Sequence, residues 1–577
     1  MKKKWLIKDA PDLRLVEQLK KELHVSEIVA YLLVQRGITT RDAAVSFFRG
    51  SLKELHDPFL MKGIKEAVNC INKQLQKDTR ILVYGDYDVD GTTAVSVVYS
   101  YLFTHTSSIS YYIPDRYKEG YGVSMAGIQH AIDNDVKLII TLDCGIRAVT
   151  AIKKAREAGI EVIVCDHHLP GQELPDAIVC DPKQEGCEYP FKELSGCGVG
   201  FKLMNALQIQ NKWEEAPLFE YIDLVAISIG ADIVPVIGEN RLLSQFGLKN
   251  INKNTRIGIQ ALLKLAKKEK PLSLTDVVFT IAPRINAAGR IDDAKEAVRL
   301  MVSKDEEKVK EIADKIHQYN EERRGLDKAI TAEALEQLEK DPTHKNQNST
   351  VVYNKEWHKG VIGIVASRLI EQHYRPTIVF TQSESGNWTG SVRSIEGVNA
   401  YEILDRCSEY INQFGGHYFA AGLTVSDENL LQFKNRFEEE VTKVIKEETL
   451  IPEQIIEREI DFNEIFTQAE SVAESPHLLR MLKQFEPHGP MNLHPRFLAR
   501  NVYAEKPTLL KGEHLKMKVY QPEFKKFIDA IYFSAPEAYD IVRSGSFDMV
   551  FSLDENQFRG RTTPQLMIKD IRPSIIH

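Results

Sequence analysis

The sequence lacks the features that mark secreted and membrane-spanning proteins. Its seven cysteines form no C-x-x-C pair, and free buried thiols explain them better than a zinc site does. No apolar run approaches the roughly 20 residues needed to span a bilayer. The basic start at Lys2–Lys4 is typical of a signal peptide, but Lys8 and Asp9 interrupt any apolar core behind it. We therefore expect a cytoplasmic protein with no membrane partner.

The sequence also lacks an excess of basic residues. Its formal net charge is −8 and its pI is near 6.1, so composition gives no support for nucleic-acid binding. Aspartates that bind cations would account for part of this negative charge, because the bound ions offset it. Any basic surface must then be local, and the candidates are Arg116 with Lys118 and Arg284 with Arg290.

The most informative segment is the acidic loop that follows the apolar run Ile81–Tyr84. Asp86, Asp88 and Asp90 occupy every second position there, and Gly91 then turns the chain into a predicted helix. So much negative charge in one loop repels itself unless a cation binds. Hard divalent cations such as Mg²⁺ and Mn²⁺ prefer oxygen ligands, so they are the natural candidates.

Several explanations of this loop compete. A calcium loop of the EF-hand kind begins in the same way, but it needs a Glu at its twelfth position, where this chain has Val97. An aspartyl-phosphate phosphatase loop, D-x-D-G-T, matches Asp88–Thr92. A metal-dependent phosphoesterase would take further ligands from later in the chain. A solvated acidic turn is the common structural explanation, but it fits less well directly after an apolar strand.

Acidic and imidazole side chains also follow three later apolar segments. These segments and the residues after them are Leu138–Leu142 with Asp143, Val162–Cys165 with Asp166, His167 and His168, and Tyr221–Gly230 with Asp232. Ligands bind at the carboxyl edge of an open parallel sheet, so we expect these side chains to meet there. Carboxylates with a neutral imidazole suit two hard cations that clamp a phosphoryl group. The phosphatase alternative has no need of paired histidines.

These residues together resemble a known family. Asp166-His167-His168 is similar to the signature of the DHH phosphoesterases, and Asp86–Gly91 resembles their first motif. Asp143 and Asp232 match the second and fourth motifs. Other segments resemble the associated DHHA1 domain, namely Trp357-His358, Gly360–Arg368, Ser391–Ser394 and Gly415–His417. Within the family, the chain resembles the exonucleases specific for single-stranded DNA, in Pro283–Arg290 and in the OB-like tail Asn556–Pro573, among other segments.

Two segments depart from the family pattern. Ser228–Ala231 stands where the family usually has Gly-Thr-Ile-Ala before the fourth-motif aspartate. Pro487–Asn492 reads Pro-His-Gly-Pro-Met-Asn, where the usual pattern is Pro-Phe-Gly-x-Gly-Asn. The first departure concerns the backbone beside Asp232, and the second concerns the junction with the OB-like domain.

Length and resemblance together predict the domain organisation. A chain of 577 residues is too long for one core and predicts about three or four domains. We expect an α/β protein: a parallel-sheet DHH domain and a smaller α/β DHHA1 domain joined by a long helix, with a C-terminal OB-like β-barrel. The predicted boundaries are 1–75 for an N-terminal helical region, 76–303 for DHH, 304–350 for the helix and linker, 351–450 for DHHA1, and 455–577 for the OB-like domain.

The resemblance also implies a role for each candidate residue. The implied ligands of two Mn²⁺ or Mg²⁺ ions are Asp86, Asp88, Asp90, Asp143, His167 and Asp232. His168 is expected to contact the scissile phosphate, and Asp166 to hold an imidazole in place. The implied substrate-binding residues are Arg116, Arg284, Arg290, Arg368, Ser391, Arg393 and His417.

The implied activity is metal-dependent hydrolysis of single-stranded DNA from the 5′ end to mononucleotides, in DNA repair and recombination. A helicase and a single-strand-binding protein are the implied partners. One alternative is a relative that cleaves short oligonucleotides or cyclic dinucleotides, although the N-terminal region and OB-like tail exceed what a small substrate needs. The other is a non-catalytic DNA-binding relative, although such a protein would be free to lose the six ligands that this chain keeps.

Overall fold

The computed structural model describes residues 3–466, 471–558 and 560–574. The chain forms two α/β units, a closed β-barrel and an N-terminal helical region. The predicted fold class is therefore confirmed. In the described ranges, no helix combines the length and the apolar character needed to cross a bilayer.

The first α/β unit is built on a five-stranded parallel sheet. Its strand order is β3-β2-β4-β5-β6, and its central strands are buried on both faces because helices cover the sheet. The strands are β2 (Ile81–Gly85), β3 (Ile109–Tyr112), β4 (Leu138–Leu142), β5 (Glu161–Cys165) and β6 (Ile178–Cys180). The helices between them are α5 (Val89–Phe103), α6 (Met125–Asp133) and α7 (Val149–Glu157). These match the alternation expected from the sequence.

A helical layer follows the sheet, and one of its helices was expected to be a strand. Its members are α8 (Gly196–Asn211), α9 (Ala216–Phe219), α10 (Ile222–Ala231), α11 (Gly238–Lys253), α12 (Ile257–Ala266), α13 (Leu274–Asp276), a π-helical segment (Val277–Ile281), α14 (Ala282–Ile291) and α15 (Lys295–Val302). The sequence pattern groups the apolar segment Tyr221–Gly230 with the strands, but it forms helix α10. Residues 222–230 are all buried, so the run has no polar face, and such a run fits a buried strand or a buried helix equally well.

A helix of 35 residues, α16 (Glu306–Lys340), connects the two α/β units. Asp305 caps its first turn, and the helix contacts α14 on one side and α17 of the second unit on the other. The second unit has a mixed sheet of order β10-β11-β9-β8-β7. Its elements are β7 (Thr350–Tyr353), α17 (Ile362–Gln372), β8 (Thr377–Gln382), β9 (Trp388–Arg393), α18 (Ala400–Arg406), β10 (Gln413–Gly416), β11 (Ala420–Val425) and α19 (Leu430–Val444). The predicted connecting helix is thus present.

The C-terminal region forms a barrel that closes on itself. The strands run in the order β14-β15-β16-β18-β17, and β17 pairs with β14 to complete the ring. The elements are β12 (Glu453–Ile456), β13 (Arg458–Glu459), α20 (Phe462–Ile465), α21 (His477–Lys483), β14 (Phe497–Leu510), β15 (His514–Gln521), β16 (Phe524–Tyr532), α22 (Ala538–Ser544), β17 (Phe547–Phe558) and β18 (Arg561–Pro573). Closure leaves the barrel without an unpaired edge, as an OB-like fold requires.

The N-terminal region packs against the two larger parts instead of forming a separate domain. Its elements are β1 (Lys4–Ile7), α1 (Leu13–Leu23), α2 (Glu27–Gln35), α3 (Arg41–Arg49) and α4 (Ile64–Gln76). Helices α1–α3 share one hydrophobic cluster with the barrel, whereas α4 belongs to the core of the first α/β unit. The purely helical prediction missed β1, which pairs in parallel with β12. A run of four residues is too short to carry a strand pattern of its own.

Candidate metal and phosphate site

The acidic loop lies at the carboxyl edge of the parallel sheet. Asp86 follows β2, and Asp88 caps α5 by accepting a hydrogen bond from the Gly91 amide at 3.0 Å. Gly91 is needed because a Cβ there would lie 2.4 Å from the Asp86 carbonyl oxygen. The capping geometry therefore fixes the loop, and Asp90 follows in the first turn of the helix.

Asp90 is held by the start of a second helix. Its carboxylate accepts the backbone amides of Gly196 and Cys197, both at 2.7 Å, from the first turn of α8. The Ser228 hydroxyl donates to the same carboxylate at 2.7 Å. These three donors fix the orientation of the Asp90 side chain at the N-terminus of α8. Ser228 belongs to the segment that departs from the family pattern, and here it adds a hydrogen bond.

His167 lies at the centre of the acidic cluster. Its Nε2 atom is 3.1 Å from Asp143 Oδ1, 3.6 Å from Asp232 Oδ2 and 3.8 Å from Asp90 Oδ2. Among the described residues, neither ring nitrogen of His167 has a hydrogen-bond partner, although the side chain is buried. Burial lowers the pKa of His167, which favours the neutral imidazole that metals bind.

The carboxylates of this cluster repel one another. Burial and the charge of Asp88 raise the pKa of Asp86 well above its usual value. Burial and the charge of Asp90 do the same to the pKa values of Asp143 and Asp232. In the described chain, Asp86 Oδ2 and Asp143 Oδ1 are buried without a hydrogen-bond partner. A bound divalent cation would remove both the repulsion and the missing contacts, so the residues fit a metal site.

Two sets of potential ligands have the compactness of a metal site. Asp143, His167 and His168 form one set, and Asp90, His167 and Asp232 form the other. The offered ligand atoms within each set all lie within 4.8 Å of one another. Because His167 belongs to both sets, two cations bound by them would lie next to each other, as in two-metal phosphoesterases. The structure thus gathers all the predicted metal ligands at one edge, including Asp232 from the end of α10.

Asp166 orients His168. Its carboxylate accepts the backbone amides of Ile146, His167 and His168, and it lies 2.7 Å from Nδ1 of His168. Burial opposes a charged imidazole, but the hydrogen bond and the charge of Asp166 raise the pKa of His168. These contacts occupy Asp166 fully, which agrees with a supporting role. His168 is left with Nε2 directed toward the Tyr121 hydroxyl at 3.3 Å.

A cationic cluster faces this edge from the interface between the two α/β units. Burial and repulsion from Arg116 lower the pKa of Arg393 on β9. Burial and repulsion from Arg116, Arg323 and Arg393 lower the pKa of Arg290 to about 10. These arginines are half-buried. Guanidinium groups that repel one another in such a place suit an anion, and their planar geometry suits phosphate.

The second unit contributes two more predicted residues to the same place. Ser391 Oγ accepts a hydrogen bond from Arg393 Nη1 at 3.1 Å. The exposed His417 follows β10 and stacks on His168, with ring centroids 6.4 Å apart and an angle of 13° between the rings. The Gly415–His417 turn thus reaches the DHH signature of the first unit, so the site is shared by both units.

The two predicted arginines that lie outside this cluster also have partners within the protein. Arg368 on α17 forms an ion pair with Asp327 of α16, at 2.9 Å. Arg284 on α14 donates to the Thr280 carbonyl at 2.6 Å, while its Nε atom has no partner among the described residues. We therefore expect Arg368 to contribute less to phosphate binding than Arg393 does, and Arg284 to keep one donor available.

The comparisons with known proteins agree with this geometry. The DHH family, N-terminal domain, matches residues 80–229; the DHHA1 domain matches 346–446; and the RecJ OB domain matches 468–570. The chain is 38% identical to the single-stranded-DNA-specific exonuclease RecJ of Bacillus subtilis (strain 168), over 99% of this chain and 71% of the relative. The chain belongs to the RecJ family. The resemblance seen in the sequence is thereby confirmed.

Solved RecJ structures have the same fold. A RecJ structure from Thermus thermophilus in complex with Mn²⁺ matches with a TM-score of 0.84 and 27% identity, covering 99% of this chain and 80% of that chain. A structure of RecJ from the same organism in complex with Mg²⁺ matches with a TM-score of 0.77 and 26% identity, covering 99% and 79%. Both ions are hard cations of the kind expected from the donor set of this chain.

Sequence reasoning missed Arg323, which lies on the connecting helix α16 of this RecJ-family chain. The charge pattern of that helix predicts a solvated face. Arg323 instead contributes to the repulsion that lowers the pKa of Arg290, and its own pKa is lowered by burial. Its Nε atom is buried without a partner in the described chain. Only the tertiary structure distinguishes this arginine from the many charged neighbours on the helix.

Gly196 was also missed, and it provides a test of the metal site. A Cβ at Gly196 would lie 2.5 Å from Asp143 Cβ and 2.9 Å from its Cα. Because these atoms belong to or adjoin the backbone, Gly196→Ala must displace Asp143. We expect the variant to bind Mn²⁺ about tenfold more weakly, a typical effect of disturbing the support of a metal ligand. Isothermal titration calorimetry measures this.

Gly198→Ala is the matched control on the same turn of α8. The nearest atom to a Cβ at Gly198 is 3.4 Å away, which is ordinary contact. We expect this variant to bind Mn²⁺ as the wild type does. Equal Mn²⁺ affinity in both variants would contradict the placement of Asp143 at the metal.

Proposed function

We propose that the chain hydrolyses single-stranded DNA from the 5′ end and releases mononucleotides, using two Mn²⁺ or Mg²⁺ ions. The observation that carries this proposal is a pair of complementary sites where the two α/β units meet. Buried carboxylates that repel one another lie on the first α/β unit, and half-buried arginines that repel one another lie at the interface with the second. Metal ions and a phosphate backbone would neutralise both sites together.

The six predicted ligands would hold the ions: Asp86, Asp88, Asp90, Asp143, His167 and Asp232. When bound, the ions would activate a water molecule and offset charge on the phosphoryl group. The chain supplies the fixed orientation of the ligands. Asp90 is locked by the amides of α8, and the neutral His167 lies between the carboxylates. This arrangement limits the motion that the ligands would otherwise need on binding.

His168, which is hydrogen-bonded to Asp166, would contact the substrate. The hydrogen bond that His168 Nδ1 donates to Asp166 fixes the imidazole and favours its charged form. A positive Nε2–H donor would stabilise negative charge on the scissile phosphate. The nearby His417 would extend the same surface from the second α/β unit.

The arginine cluster would bind the 5′-terminal phosphate and so set the direction of cleavage. Arg116, Arg290, Arg393 and Ser391 lie together at the interface, and Arg284 and Arg368 would contact the strand further along. A terminal phosphate fits this cluster because it carries more charge than an internal one. A cleft between two α/β units and a connecting helix would admit one strand, from which we infer the single-strand preference.

We further infer a place for the enzyme in DNA repair and recombination, in the cytoplasm. An exonuclease that accepts only single strands needs another protein to open duplex DNA. A helicase would supply that strand, and a single-strand-binding protein would cover it beforehand. The closed barrel would bind the approaching strand through its outer face, as OB folds do.

A metal-dependent assay on labelled strands tests this function. With Mn²⁺, we expect mononucleotides from 5′-labelled single strands, little product from blunt duplex, and complete loss of activity on chelation. A preference for short oligonucleotides over long strands would favour the small-substrate alternative. Strand binding without cleavage at any metal concentration would favour a non-catalytic relative.

A further inference from the structure

Ile233 has an unfavourable backbone conformation directly beside a metal-site residue. It follows Asp232, the C-cap of α10, and has a φ of 62°. Many helices end with a left-handed residue at this position, but that residue is usually Gly, because a Cβ destabilises the conformation. A β-branched side chain is a marked exception. The turn itself therefore does not explain the choice of isoleucine.

Packing does not explain isoleucine at this position either. The side chain of Ile233 is 68% exposed, so it contributes little to the hydrophobic core. A β-branched apolar side chain that is held in solvent at a backbone cost, directly beside a metal-site residue, marks a place where local stability has been given up for function. The neighbouring Asp232 lies 3.6 Å from His167, which places Ile233 at the rim of the metal site.

We propose that Ile233 contacts a nucleobase next to the scissile phosphate. This inference rests on the proposed nuclease function and adds a residue that touches the base. An exonuclease that degrades a strand of any sequence must hold each base without reading it. An apolar side chain against the face of a base does this, because every base has an apolar face. The left-handed turn keeps the side chain out of the protein and in the path of the strand.

The test compares Ile233→Gly with a matched control, Met491→Gly. Met491 has a φ of 60° and is also 68% exposed. It follows Pro490, whose carbonyl accepts the Val236 amide, so this variant controls for a glycine in the segment that pairs with the chain just after Ile233. Glycine adopts this conformation freely, so we expect neither variant to lower the melting temperature. Only Ile233→Gly should lower kcat/KM on single-stranded DNA, by about tenfold.

A second substrate identifies the base as the contact. In a strand whose first two nucleotides are abasic, the sugar and phosphate remain but the base is missing. We expect kcat/KM of the wild type and of Met491→Gly to be about tenfold lower on this strand than on the intact strand. For Ile233→Gly, we expect the same kcat/KM on both strands. An equal abasic loss in all three proteins would overturn the contact. A wild type with no nuclease activity would overturn the proposed function instead, and the contact with it.

Discussion

An asparagine in place of Asp143 is expected to lower kcat/KM on single-stranded DNA by about 10³-fold and at the same time to raise the stability of the metal-free protein. We expect the activity to fall because Asp143, as a proposed metal ligand, loses its charge. The stability rises because Asp143 is buried among like charges, and the neutral amide ends that repulsion. Nuclease assays and thermal melts in a chelator measure the two effects, which have opposite signs.

The gain in stability depends on pH in a defined direction. The folded-state pKa of Asp143 is raised well above its usual value by burial and by neighbouring aspartates. Between the unfolded pKa of about 3.9 and the raised folded pKa, the folded protein binds more protons, so rising pH destabilises it. The advantage of Asp143→Asn over the wild type should therefore be absent at low pH and grow as the pH rises above about 4.

Asp181→Asn is the control for burial alone. Asp181 follows β6 at the same sheet edge, its Oδ2 is buried without a partner in the described chain, and burial raises its pKa to about 7. We expect this variant to gain stability as well, but to keep its activity and its stabilisation by Mn²⁺. If Asp143→Asn were as active as Asp181→Asn, the metal assignment would be wrong.

Replacing Arg393 by glutamine removes the preference for a 5′-phosphate. We expect the wild type to degrade 5′-phosphorylated strands about 30-fold faster than 5′-hydroxyl strands, because a charge-assisted hydrogen bond contributes about 1.5–3 kcal/mol. In the variant, the rate on phosphorylated strands falls to the rate on hydroxyl strands. Kinetics with both strands on both proteins measure this, and the ratio isolates the contact with the terminal phosphate.

Arg375→Gln is the control for removing a positive charge from the same unit. Arg375 donates to the His344 carbonyl at 2.7 Å and takes no part in the arginine cluster. We expect this variant to keep the full preference for the phosphorylated strand. A wild type that ignores the 5′-phosphate would show that the cluster does not determine the direction of cleavage.

The parts of the site that the sequence predicts are those with local chemistry. Asp86, Asp88 and Asp90 stand close to one another in the chain, and Asp166-His167-His168 directly follows an apolar strand. Such contiguous patterns can be recognised without any knowledge of the tertiary structure. The parallel sheet then explains why these separate loops meet, because all its strands end at one edge.

The parts that the sequence does not predict depend on distant contacts. Helix α10 lacks a polar face because it is buried all round, so its apolar run does not distinguish helix from strand. In the sequence, Arg323 resembles the other charged residues of α16, and only its burial in the folded chain distinguishes it. Gly196 matters only because α8 packs against Asp143. Each case needs information about a neighbour that is remote in sequence.

The shared cluster of α1–α3 and the barrel has a consequence for biosynthesis. These helices are made well before the residues that cover their apolar faces, which lie between Ile460 and Ile571. At about 5–20 residues per second, roughly 20–80 seconds of translation separate the two. During that time the first α/β unit can complete its own core, while the N-terminal helices keep an uncovered apolar surface. We therefore expect this apolar surface of the nascent chain to stay exposed until the barrel leaves the ribosome.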